Sequence, residues 1–209
     1  MKVIKPYIAL ESDVDAKKIL KHLEMAGRVC YKSENKITDS SAETFIESII
    51  NRGHESVIEH ISLTIRIVCD RGVSHEIVRH RIASYSQEST RYCNYTSDKF
   101  SNEITFIKPC FWEPGSQEYR IWEKTMQTIE EAYNNLIMSG VSPQEARSVL
   151  PNSLKTEILV TMNLREWRHF LKLRTNKAAH PQMREIALMI YKLLHTSIPV
   201  IFDDIEVEK

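Results

Sequence analysis

Apolar positions along the chain keep two periods. From Asp15 to Cys30, the residues Ile19, Leu20, Leu23 and Ala26 recur at three- and four-residue spacing, which predicts a helix, and a second helix is expected from Ser41 to Asn51. The first ten residues read as a strand. In the cleanest alternation, Ile61, Leu63, Ile65 and Ile67 are interleaved with Ser62, Thr64 and Arg66, so a strand with one buried face is expected there. Trp122, Met126, Ile129, Tyr133, Leu136 and Ile137 sit at helical spacing between Ser116 and Met138, the long amphipathic helix of the fold. Leu154 to Met162 alternates again as a strand.

Punctuating residues place further ends. Ser74 is expected to cap a short helix through His80, with Glu76, Arg79 and His80 on one side and an irregular segment after it. In "SPQEAR", Ser142, Pro143 and Glu145 form a capping box with proline at the first helical position, and Arg147 follows. Asn163 with Glu166 caps a helix through Leu173, on which Leu164, Trp167 and Leu171 share the apolar side. Arg174 follows three residues after Leu171 and so points inward, while Arg165 and His169 share the opposite face. Pro181 opens the last helix, with Met183, Ile186, Ala187, Ile190 and Leu194 toward the core. Helices and strands without βαβ alternation predict an α+β fold: a single domain over residues 1–209, with a mostly antiparallel sheet flanked by helices.

Composition narrows the chemistry. With 28 basic and 28 acidic residues there is no overall field for nucleic acid or an anionic membrane. Four cysteines without a C-x-x-C pair, an N-terminus without an apolar leader and the lack of a membrane-length apolar run predict a cytoplasmic protein. The 5 glycines are isolated, so neither G-x-G-x-x-G nor a P-loop can be built, and a bound nucleotide must be held by side chains.

Against that neutral background, "RHRIASYSQESTRY" from Arg79 to Tyr92 concentrates guanidinium forks and hydroxyls, the groups that grip phosphate and stack on rings. Its plain alternative is a solvated basic turn paired with Glu76 and Glu88. The histidine pairs His54 with His60 and His75 with His80 lack H-E-x-x-H spacing, and no metal site is expected. Ser89, between Glu88 and Arg91, has no G-x-S-x-G elbow and suits binding better than attack.

The stretch "RHRIASYSQES" resembles the signature of the flavin-dependent thymidylate synthases: arginine, histidine, arginine, seven residues and serine. "HESVIEH" upstream, and "ARSVLP", "TMNLREWRHFLKLR" and "QMREIA" downstream, resemble the family's other blocks in the family's order, from about Gly53 to the last helix. The resemblance implies a homotetramer with active sites shared between subunits. It implies bound FAD, NADPH as reductant, and 5,10-methylenetetrahydrofolate as carbon donor for making dTMP from dUMP.

Carried onto this chain, it implies FAD contacts from Ser56, Arg79, His80, Arg81, Gln87, Asn163, Leu164, Arg165 and His169. It places dUMP against Glu76, Ile77, Val78, Arg79, Gln87, Glu88, Ser89, Thr90 and Arg91, with Arg147 reaching the phosphate from another subunit. Arg174 would be the catalytic residue, stabilising negative charge that develops on the uracil ring. The chain departs from the family at Glu76, where glutamine is frequent, and at Ser86 and Gln87, where Asn-Glu is frequent. Two other functions fit the same arginine cluster: a module binding RNA or a phosphoprotein, which neutral charge and the lack of an aromatic platform disfavour, and a flavin reductase or oxidase.

Overall fold

The computed structural model describes residues 1–97 and 103–207. The alternating and helical periods become β1 (Lys2–Ile4), β2 (Tyr7–Leu10), α1 (Ala16–Tyr31), α2 (Ala42–Asn51), β3 (Ser62–Asp70), α3 (Arg71–Ile77), β4 (Ala83–Gln87) and β5 (Thr105–Ile107). After these come α4 (Gln117–Met138), α5 (Pro143–Ala146), β6 (Lys155–Asn163), α6 (Leu164–Arg174), α7 (Pro181–Ser197) and α8 (Pro199–Phe202). Strands β2, β3, β6 and β4 form, in that order, a four-stranded antiparallel sheet, as expected for an α+β fold. The single strand expected over the first ten residues is instead two. Pro6 has no N–H to donate and interrupts the ladder, so β1 leaves to pair with β5 in parallel, Lys2 opposite Thr105.

Contacts along the chain gather into two compact units. One comprises Met1–Tyr7, Ile67–Arg79 and Ser86–Ile158; the other comprises Ile8–Arg66, His80–Tyr85 and Leu159–Lys209. The first is built around α4, whose Tyr119, Trp122, Met126 and Tyr133 pack with Tyr95, Phe106, Ala146 and Leu154. Ser116 caps that helix by accepting from the Tyr119 N–H, and Trp122 Nε1 donates to Ser153 Oγ at 3.1 Å.

In the second unit, Ile19 and Leu23 of α1, Ile46 and Ile49 of α2, Trp167, Phe170 and Leu171 of α6, and Met183, Ile186 and Ile190 of α7 are all buried. Trp167 Nε1 donates to the Leu63 carbonyl of β3 at 3.1 Å, satisfying the one polar atom of a fully buried ring. No helix among the described residues is long and apolar enough to cross a membrane.

Candidate active site

The signature begins where α3 ends. Asp70, not Ser74, caps α3: its carboxylate accepts from the Val73 N–H at 2.8 Å. Ser74 lies one turn in, buried, with its hydroxyl donated back to the Arg71 carbonyl. Because the helix therefore stops at Ile77, Arg79 and His80 fall beyond its end. They do not share a face with Glu76: Arg79 is exposed and His80 buried. The segment expected to be irregular is strand β4, where half-buried and exposed residues alternate without a hydrophobic period to announce it. Ile82, ahead of it, holds φ at 69°, a left-handed conformation costly for a β-branched residue.

Within the second unit, His80 is the centre of a polar cluster. Arg174 Nε donates to its Nε2 at 3.0 Å, Glu166 Oε1 lies 3.3 Å from its Nδ1, and its ring tilts against Phe170 with centroids 4.8 Å apart. Burial, then the neighbouring Arg174 charge, pushes the imidazole pKa down to about 4. Neutral His80 accepting at Nε2 carries its proton on Nδ1, facing Glu166. Burial raises the Glu166 carboxyl pKa in turn.

Helix α6 supplies the rest. Asn163 caps it by accepting from the Glu166 N–H at 2.9 Å, which leaves its amide NH2 available. Arg165 and His169 are exposed on the outer face, as the spacing predicts. Leu164 is in the core and gives its N–H to the Ile61 carbonyl. Ser56 is exposed on a 3-10 turn, Glu55–His60.

A cavity of about 580 Å³ opens over this face, lined by Ile82, Asn163, Arg165, Glu166, His169 and Lys172 together with Glu55 and Glu59. Arg165 Nη1 meets Glu59 at 2.6 Å in a pair exposed on both sides, a link worth little in water.

Sequence reasoning missed Glu59, Glu166, Lys172 and above all Arg168. Arg168 is buried and donates to Glu55, Asp204 and the Ile201 carbonyl. Placed among apolar residues on α6, it gave no signal, because its partners come from distant segments.

The first unit holds most of the residues the resemblance assigns to dUMP. Gln87 donates its amide to Ser74 Oγ at 2.9 Å and Thr156 Oγ1 at 3.1 Å, which turns both donors inward. Glu88 receives Lys155 Nζ at 2.5 Å and the Tyr95 hydroxyl at 3.0 Å. Ser89 Oγ accepts from the Arg91 N–H at 3.3 Å, and Thr90 is buried. Arg91 Nε reaches Gln144 Oε1 at 3.2 Å, on helix α5, whose C-cap is Arg147. The capping box at Ser142 and Glu145 is present, and Arg147 is exposed. Ile77 is buried, Glu76 half-buried and Val78 exposed.

A solvated turn neutralised by Glu88 is not what forms, since Lys155 and Tyr95 occupy that carboxylate. Arg79 and Arg81 are exposed, with no side-chain partner among the described residues.

Thus Ser56, His80, Arg81, Asn163, Leu164, Arg165, His169 and Arg174 lie in one unit. Glu76, Ile77, Val78, Arg79, Gln87, Glu88, Ser89, Thr90, Arg91 and Arg147 lie in the other. The two histidine pairs of the sequence form no convergent metal set among the described residues. The group that does converge is His80, Glu166 and His169, with donor atoms within 4.8 Å, and there the Arg174 guanidinium on His80 opposes a cation.

A family model described as "Thymidylate synthase complementing protein" matches residues 14–200. A flavin-dependent thymidylate synthase of Geobacter sulfurreducens is 38% identical over 192 residues, covering 86% of this chain and 79% of that protein. One from Pyrococcus furiosus is 40% identical over 157 residues, covering 75% of this chain and 64% of that protein. The fold matches the crystal structure of the UMP/dUMP methylase PolB from Streptomyces cacaoi at a TM-score of 0.78, 24% identity, and coverage of 97% of this chain and 96% of that one. Matched across the blocks that carry its arginine, histidine and serine signature, the chain belongs to the family of the flavin-dependent thymidylate synthases.

Proposed function

We propose that this chain is a flavin-dependent thymidylate synthase that methylates dUMP to dTMP, with 5,10-methylenetetrahydrofolate as carbon donor and NADPH as reductant through FAD. The observation that carries the reading is the cavity of about 580 Å³ lined by Asn163, Arg165, His169 and Lys172 together with Glu55, Glu59 and Glu166, in a chain without a glycine-rich nucleotide loop. Its size suits a cofactor.

Its donors suit one that is anionic and planar. Arg165 can leave Glu59 for a phosphate at little cost and the Asn163 amide is open at the helix start; Arg81, next in sequence to the lining residue Ile82, is exposed and has no side-chain partner among the described residues. Ser56, Arg79, His80, Arg81, Gln87, Asn163, Leu164, Arg165 and His169 would hold FAD, Gln87 through its amide oxygen and Leu164 through backbone. Bound and reduced, FAD supplies the hydride that completes the methyl group.

The chain's own residues bind and orient. Ser89, Arg91, Arg79 and Arg147 receive the dUMP phosphate and sugar, with Gln87 and the backbone of Glu76 to Val78, Glu88 and Thr90 around them. Arg174 stabilises negative charge that develops on the uracil ring. Neutral His80 holds that guanidinium by accepting from its Nε at 3.0 Å. The working assembly is a homotetramer, located in the cytoplasm, whose subunits complete one another's active sites.

The test is spectroscopic. Purified protein loaded with FAD should show an oxidised-flavin spectrum that bleaches with NADPH in the absence of oxygen, and dUMP should change the rate of bleaching. A protein that takes up no FAD would contradict the reading, and bleaching indifferent to dUMP would favour a flavin reductase or oxidase.

A further inference from the structure

Glu88 is an awkward neighbour for a phosphate. It stands between Gln87 and Ser89 in the segment assigned to dUMP, and a carboxylate there repels the dianion unless something cancels it.

The structure supplies the cancellation. Lys155, the first residue of β6, places Nζ 2.5 Å from Glu88 Oε2, and the two side chains are only 19% and 12% exposed. The Tyr95 hydroxyl donates to the other carboxylate oxygen at 3.0 Å. Burial and the Glu88 charge raise the Tyr95 pKa, which keeps that hydroxyl a donor. The same lysine lies 3.8 Å from Glu157, whose carbonyl accepts the Glu88 N–H at 2.8 Å. One cation thus answers two carboxylates at the base of the segment that carries Ser89 and Arg91.

We propose that Lys155 is a positioning residue for dUMP, neutralising Glu88 so that its carboxylate does not oppose the phosphate at Ser89 and Arg91. The proposal rests on the dUMP reading above. Lys155 touches no reacting atom; it acts through Glu88.

Steady-state kinetics of the FAD-loaded enzyme at varied dUMP provide the test. Lys155→Met should raise the KM for dUMP on the order of tenfold, with a smaller change in kcat, because it exposes a carboxylate to the dianion. That penalty should shrink as salt is raised. Glu88→Gln added to Lys155→Met should recover most of the affinity, since glutamine still accepts from Tyr95 without the charge, and Lys155→Arg should do so by keeping the cation. A purely structural role predicts the reverse, a double variant as impaired as the single one.

A KM in Lys155→Met within twofold of the parent, or a raised KM that Glu88→Gln does not relieve, would overturn the proposal. If Lys155→Met does not fold, Glu88→Gln alone should lower the KM for dUMP, and a KM raised more than threefold would overturn it. A parent enzyme with no dUMP-dependent turnover would instead overturn the functional reading on which the proposal stands.

Discussion

His80 shows how a single residue ties sequence to site. Its ring carries no proton at Nε2 because Arg174 donates there, and its pKa is pushed from 6.5 down to about 4. Above pH 6.5 neither the folded nor the unfolded chain holds the extra proton. As pH falls from 6.5 toward 4, the unfolded chain takes up a proton that the folded chain refuses, so His80 costs stability across that window. The urea midpoint of the parent should therefore drop more steeply between these values than that of His80→Gln, and parallel slopes would contradict the buried neutral ring.

Arg174→Ala should cut turnover by about 3 kcal/mol in barrier, roughly 150-fold, while FAD stays bound; near-parent turnover in a stopped assay would remove Arg174 from the chemistry. That Arg174 points inward was legible from its place three residues after Leu171. Its histidine partner was not, since the two lie 94 positions apart and only the folded chain brings them together.

Helix α6 is the element on which the site depends. Its cap, Asn163, and its inner and outer faces follow from local rules that act within one turn, and the sequence displays them directly. Asn163→Ala should lower stability by about 1 kcal/mol, visible as a reduced urea midpoint, while Asn163→Asp should keep the cap and the midpoint. Arg168 anchors the same helix through Glu55 and Asp204 and holds the Asp204 carboxyl pKa below its ordinary value. Arg168→Met should cost about 2–4 kcal/mol in the same measurement, and a loss below about 0.5 kcal/mol would show the network to be dispensable.

Elements whose rules are not local were harder to read. Strand β4 holds Ser84, Tyr85 and Ser86 rather than an apolar alternation, so only pairing with β6 makes it a strand. For α3, the sequence reading placed the cap at Ser74, whereas the extended backbone at Asp70 starts the helix one turn earlier. At the amino terminus, one proline split an expected strand and sent its first half to pair with β5.

At the scale of the molecule, the α+β class followed from the order of helical and alternating stretches, while the grouping of contacts into two units did not, because both units draw on β3 and β6. We propose that residues 1–209 nevertheless fold as one domain, for a chain whose strands contribute to both units cannot lose one alone. A single calorimetric transition is expected, and two separable ones would contradict it.

The family signature marked the residues but not their division: the candidate flavin ligands other than Arg79 and Gln87 lie in one unit, and every dUMP candidate except Arg174 lies in the other. The most direct measurement is product analysis after anaerobic incubation of the FAD-loaded protein with dUMP, methylenetetrahydrofolate and NADPH. Formation of dTMP, abolished when any one of the three is left out, is the predicted result. Oxidation of NADPH without dTMP from fully flavin-loaded protein would contradict the assignment.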